Sequence, residues 1–145
     1  MRANELMIGD WVLDGGVKAQ VTSIMCDGII ETTKRISNEE IVEPIPLTQE
    51  ILEKNGFEKI HLAYTVDKYH YIYAVSQRVF IKCLPFQNEN LKVSNWFGVQ
   101  IVNNELDAQT NLNSSCDVTC AYVHELQHAL RLCGIKKEIK LRTDL

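Results

Sequence analysis

The stretch Cys116-Asp-Val-Thr-Cys120-Ala-Tyr-Val-His124-Glu125-Leu-Gln-His128-Ala-Leu-Arg131-Leu-Cys-Gly134-Ile135 decides how the chain is read. It is the longest segment with helical period, and it contains His124-Glu125-Leu126-Gln127-His128, a formal H-E-x-x-H match. At about 100° per residue, Val118, Tyr122, Leu126, Ala129, Leu130 and Cys133 share one broad apolar arc, with Val123 at its edge. Asp117, His124, His128 and Arg131 leave the opposite side. Ser114, Ser115 and Asp117 are candidate N-caps. Gly134 is placed to end the helix in a left-handed conformation, with Ile135 folding back toward Leu130. The expectation is one long amphipathic helix over residues 116–133, its histidines on the solvent face.

In a zinc peptidase, two histidines one helical turn apart reach the same metal, and the glutamate between them serves as base for the bound water. His124, His128 and Glu125 have that spacing. A third ligand is not apparent. Arg131 and Gly134 occupy the places where the extended motif carries glycine and histidine. Glu138 and Asp144 lie on a tail that reads as strand, and nothing selects His61, His70 or Cys83 upstream. Cys116, Cys120, His124 and His128 also recur every four residues, a stripe whose neighbouring pairs suit a soft divalent ion. It is about 18 Å long at the helical rise, too long for all four to hold one ion. Both patterns also arise on the polar side of a packing helix. No catalytic residue, metal or cofactor is therefore expected. A zinc-dependent hydrolase using His124, Glu125 and His128 stands as the alternative.

Composition is that of an ordinary globular chain: 145 residues, 46% hydrophobic, 23% charged. A net charge of −4 provides no basic footprint for nucleic acid or anionic membrane. Arg131, Lys136, Lys137, Lys140 and Arg142 crowd the C-terminal end, which reads as dipole complementarity and a solvated strand face. No apolar run approaches the roughly 18 residues of a membrane helix. The N-terminal residues do not read as a signal peptide, so Asn113-Ser114-Ser115 is not expected to carry glycan. Five cysteines without a C-x-x-C suit reduced thiols in a cytoplasmic protein.

Residues 1–46 read as a small lobe of short strands. Asp14-Gly15-Gly16 and Asp27-Gly28 mark tight turns between Met7–Leu13, Val17–Met25 and Ile29–Thr33. The size suggests an SH3-like β-barrel. Pro44 and Pro46 mark a boundary, and 47–145 reads as a second lobe. It opens with a helix capped by Thr48 and stopped at Gly56. Alternating strands follow through Ile60–Tyr64, Tyr69–Val75, Val79–Leu84 and Trp96–Val102, then an Asn-rich loop, the long helix, and an edge strand at Ile139–Arg142. The expected class is α+β: the barrel, then an antiparallel meander sheet covered by one long C-terminal helix.

Two further patterns carry weaker signals. Cys116, near a helix N-terminus, would have a lowered thiol pKa, but no partner histidine is set by spacing. Tyr69, Tyr71 and Tyr73 form a row that suits base stacking or, more simply, a half-buried sheet face.

Asn4-Glu5-Leu6-Met7-Ile8-Gly9-Asp10-Trp11-Val12, Glu43-Pro44-Ile45-Pro46-Leu47-Thr48 and Tyr122-Val123-His124-Glu125-Leu126-Gln127 resemble a family of short proteins from Bacteroides-type gut bacteria and their phages or mobile elements. The resemblance covers both ends of the chain and implies no assigned activity. Similar proteins often read His-Gln-Leu-Gln-Asn at the helix motif, which implies that Glu125 and His128 need not be a base and a ligand. The expected function is a non-enzymatic cytoplasmic interaction module with a protein partner, an accessory of a mobile element, with nucleic-acid binding a further alternative.

Overall fold

The first hairpin is set by Gly15 and Gly16. They take φ of 61° and 85°, the left-handed pair that a two-residue turn between twisted antiparallel strands needs. Asp14 then faces Val17, pairing β1 (Trp11–Asp14) with β2 (Val17–Ile24). The computed structural model describes residues 1–61, 69–87, 93–103 and 118–142. Beyond β2 the chain turns into β3 (Ile29–Thr32) and β4 (Ile36–Asn38), then returns along the far side of β1 as β5 (Val42–Pro44). The sheet order is β4-β3-β2-β1-β5. Val12, Val21, Ile30 and Val42 pack with Leu6 and Ala3 as its core.

Asp14 ties this sheet together from within. Its buried carboxylate accepts from Thr32 Oγ1 at 2.7 Å, Ser37 Oγ at 2.8 Å and Arg35 Nε at 3.1 Å. Burial alone would raise its pKa, but the bonds from Thr32, Arg35 and Ser37 outweigh that and hold it below the ordinary carboxylate value.

The chain forms two compact units, Met1–Pro46 with Tyr122–Leu145, and Leu47–Ala121. The second begins with α1 (Gln49–Lys54), where Thr48 Oγ1 accepts from Ile51 N at 3.2 Å. Its sheet contains β6 (Glu58–His61), β7 (Tyr69–Ala74), β8 (Phe80–Gln87), β9 (Val93–Val102) and β10 (Val118–Cys120). All neighbours are antiparallel in the order β10-β9-β8-β7-β6. Tyr71, Cys83 and Val99 face one another across β7, β8 and β9, and all are buried. The Tyr71 hydroxyl donates toward Gln49 Oε1 at 3.2 Å and Glu53 Oε1 at 3.1 Å, fastening α1 to the sheet. Burial, reinforced by the Glu53 carboxylate, pushes that phenol well above its ordinary pKa.

Among the described residues the result is mostly β, two five-stranded antiparallel sheets with two short helices, and it corrects the expected class at four points. The N-terminal sheet is not a closed SH3-like barrel, because its outer strands β4 and β5, three residues each, pair only inward. The long helix over 116–133 is not seen: α2 spans Val123–Leu132. Val118 and Thr119, both β-branched, instead pair with Val99 and Gly98, and residues 116–117 lie outside the described ones. The helix expected to cover the meander belongs to the unit of the other sheet and packs on β1. Residues 135–142 form no strand, although Ile139 is buried.

Ile30→Ala should lower unfolding free energy by about 2–4 kcal/mol, as expected for emptying a fully buried site. Ile36→Ala, on the exposed edge strand, should change it by less than about 0.5 kcal/mol. Urea titrations of both variants check the packing.

Candidate functional site

The turn Met7–Asp10 and one face of α2 build a concentration of polar contacts around the H-E-x-x-H segment. Asp10 N bonds Met7 O at 3.1 Å, and Met7 N returns to Asp10 Oδ2 at 2.7 Å, closing the turn just before β1. The Asp10 side chain is wholly buried. His128 Nε2 lies 2.6 Å from the same Oδ2, and Arg131 Nη1 donates to Oδ1 at 2.9 Å. One turn of α2 earlier, Gln127 Oε1 accepts from Trp11 N at 2.9 Å, while its Nε2 donates to Gly9 O at 3.1 Å. Residues 127, 128 and 131 therefore form a polar stripe at helical spacing that grips residues 9–11.

The ends of α2 are finished by the same logic. Glu125 Oε1 accepts from Tyr122 N at 3.1 Å, satisfying an N-terminal donor. Gly134 N reaches Arg131 O at 3.0 Å and Ile135 N reaches Leu130 O at 2.8 Å, a Schellman ending. The entry is pinned where Val123 N bonds Ile45 O at 2.9 Å.

This arrangement overturns the expected solvent face. His124 is only 6% exposed, and Val123, Leu126, Ala129 and Leu130 are buried as well. The His124 ring stacks on Tyr122 with centroids 5.8 Å apart and meets His128 edge-on at 5.5 Å. Its Nδ1 is buried without a hydrogen bond. Burial, the largest cause, pulls its pKa down, against an opposing pull from Asp10.

The structure brings His124 and His128 together but aims Glu125 at the helix start. Among the described residues, no group of three His, Cys, Asp or Glu side chains is placed to hold a metal ion. The four-residue stripe does not exist as a helical feature, since Cys120 sits in β10 and Cys116 lies outside the described residues. His61, His70 and Cys83 belong to the unit Leu47–Ala121. The tyrosine row offers little stacking surface, because Tyr71 is fully buried and Tyr69 already carries Lys59 Nζ 4.1 Å from its ring centroid. Asp10 and Gln127, which organise the site, were missed as partners by spacing. No family model, curated protein or solved structure matches the chain.

Gln127→Ala would remove the acceptor bonded by Trp11 N and one of two side-chain donors on Gly9 O, which keeps Gln20 Nε2. It should lower stability by about 1–3 kcal/mol, measured by chemical denaturation.

Acid should destabilise the fold through its buried histidines. His70, on β7, is 3% exposed and its pKa is lowered from 6.5 to about 4, by burial first and the Lys82 charge second. His124 is shifted the same way. Between the depressed folded value and 6.5, the unfolded chain binds more protons, so stability falls as pH drops through that window. The slope is up to about 1.4 kcal/mol per pH unit for each histidine. Urea midpoints from pH 7.5 to 4.5 should show it, and His70→Gln should flatten it.

Proposed function

We propose that the chain is a non-catalytic interaction module whose H-E-x-x-H helix is a structural clamp. The observation that carries this reading is the 2.6 Å contact between His128 Nε2 and Asp10 Oδ2, made while Glu125 caps its own helix. A catalytic glutamate must face the metal-bound water, whereas this one is bonded to the backbone of Tyr122. The resemblance to short proteins of gut bacteria and their mobile elements at Asn4–Val12 and Tyr122–Gln127, the stretches that hold Asp10 and Gln127, supports a cytoplasmic accessory role. Among the described residues, no helix is long and apolar enough to cross a membrane.

One feature favours a second reading. A carboxylate bonded to one imidazole nitrogen is also how proteins orient a metal-ligating histidine through its other nitrogen. With the His124 Nδ1 lacking a hydrogen bond, two donors lie close together. A zinc hydrolase needs three protein ligands and an open position, and the described residues supply no such group.

Elemental analysis of the purified chain after zinc loading and desalting separates the two. The clamp reading expects substoichiometric zinc that does not change in His128→Ala. One zinc per chain, lost in that variant, would establish the hydrolase reading instead.

A further inference from the structure

Within the unit that holds the clamp, a solvent-open groove of about 840 Å³ runs beside it. One wall is the Ile8–Gly9 turn and another is the segment Gly134–Lys140, with Trp11 and Ile139 at its base. The base is fixed, because Trp11 Nε1 donates to Ile139 O at 2.7 Å and both side chains are buried. Ile8 stands 67% exposed on the rim, an apolar side chain with no core to enter.

The groove is also where the positive charge of the chain collects. Between Arg131 and Arg142 the sequence holds five cations and one carboxylate, Glu138, in a protein of net charge −4. Arg131, Lys136, Lys137 and Lys140 all line the groove. Arg131 is already held by Asp10 and lies close over Gly9, where an added Cβ would meet its Nη2 at 3.0 Å. The negative end of the α2 dipole, which would oppose an anion, is muted by the two Schellman hydrogen bonds.

We propose that this groove docks a peptide segment of a protein partner, one whose apolar anchor side chain is flanked by carboxylates. The proposal rests on the interaction-module reading and names its partner chemistry. Cations on the walls draw acidic flanks and set register, and Ile8 with the partly exposed Ile135 takes the anchor, the usual division between polar rim and buried core. Nucleic acid is disfavoured because Trp11 is buried and its N–H engaged, so no aromatic face is presented to a base. A bilayer is disfavoured because the apolar surface is concave, which suits an inserted side chain better than a flat headgroup layer.

The test is fluorescence anisotropy with the full chain and a labelled short peptide bearing Leu-Phe between Asp/Glu flanks. Saturable binding that weakens with salt is expected. Lys136→Glu and Ile8→Ser, both at exposed positions and checked by far-UV circular dichroism, should each weaken it by about tenfold. Replacing the flanks with Asn and Gln should do the same. Absence of saturation, or binding indifferent to Lys136→Glu, would overturn the proposal. So would binding of a single-stranded oligonucleotide or of phosphatidylserine vesicles where the peptide fails. None of these outcomes depends on zinc content, so this proposal and the clamp reading fail separately.

Discussion

A single buried carboxylate holds the N-terminal turn to the C-terminal helix. Asp10 accepts from the Met7 backbone, faces the His128 ring and binds the Arg131 guanidinium, with no exposed surface of its own. A carboxylate removed from water is tolerated only when its lone pairs are filled. Here both oxygens are engaged, and the two groups contributed by α2 keep partial access to solvent. The arrangement therefore fixes direction and register more than it adds raw stability. It states which turn of the helix sits on which residue of the β1 approach, and Gln127 repeats the statement one step away.

From that constraint follows the path of the chain. Because the helix grips residues 9–11, the last segment must return to the unit where the chain began, and Leu47–Ala121 becomes an excursion between two crossings. The crossings lie side by side in sequence partners: Pro46 bridges Tyr122, and Leu47 N bonds Ala121 O at 2.9 Å. The inserted unit then closes on its own terms, through the meander and the Tyr71 contacts with α1. The same return also lays the basic tail beside the Met7–Trp11 turn, so the clamp and the groove share a cause.

What was legible in the sequence was local. Gly15-Gly16 can be read as a hairpin because few residues adopt two successive left-handed conformations. The end of α2 at Gly134 is readable for a related reason. The start was not, since Val118, Cys120 and Tyr122 satisfy a period of two as well as one of four, and the partner β9 that decides between them is invisible to a window of neighbours. The polar stripe misled in a different way. Histidine, glutamine and arginine average to a solvent face on any hydropathy measure, yet their hydrogen-bond partners lie 116 to 121 residues upstream. No spacing rule links positions that far apart. The open N-terminal sheet was likewise beyond reach, because short strands joined by tight turns look alike whether or not their edges meet.

The clamp can be tested directly by a double-mutant cycle between Asp10→Asn and His128→Gln, with unfolding free energies measured at neutral pH. Direct contact predicts a coupling of about 1 kcal/mol or more between the two changes. Effects that simply add, within about 0.3 kcal/mol, would mean that the helix does not sit on Asp10 and would contradict the account.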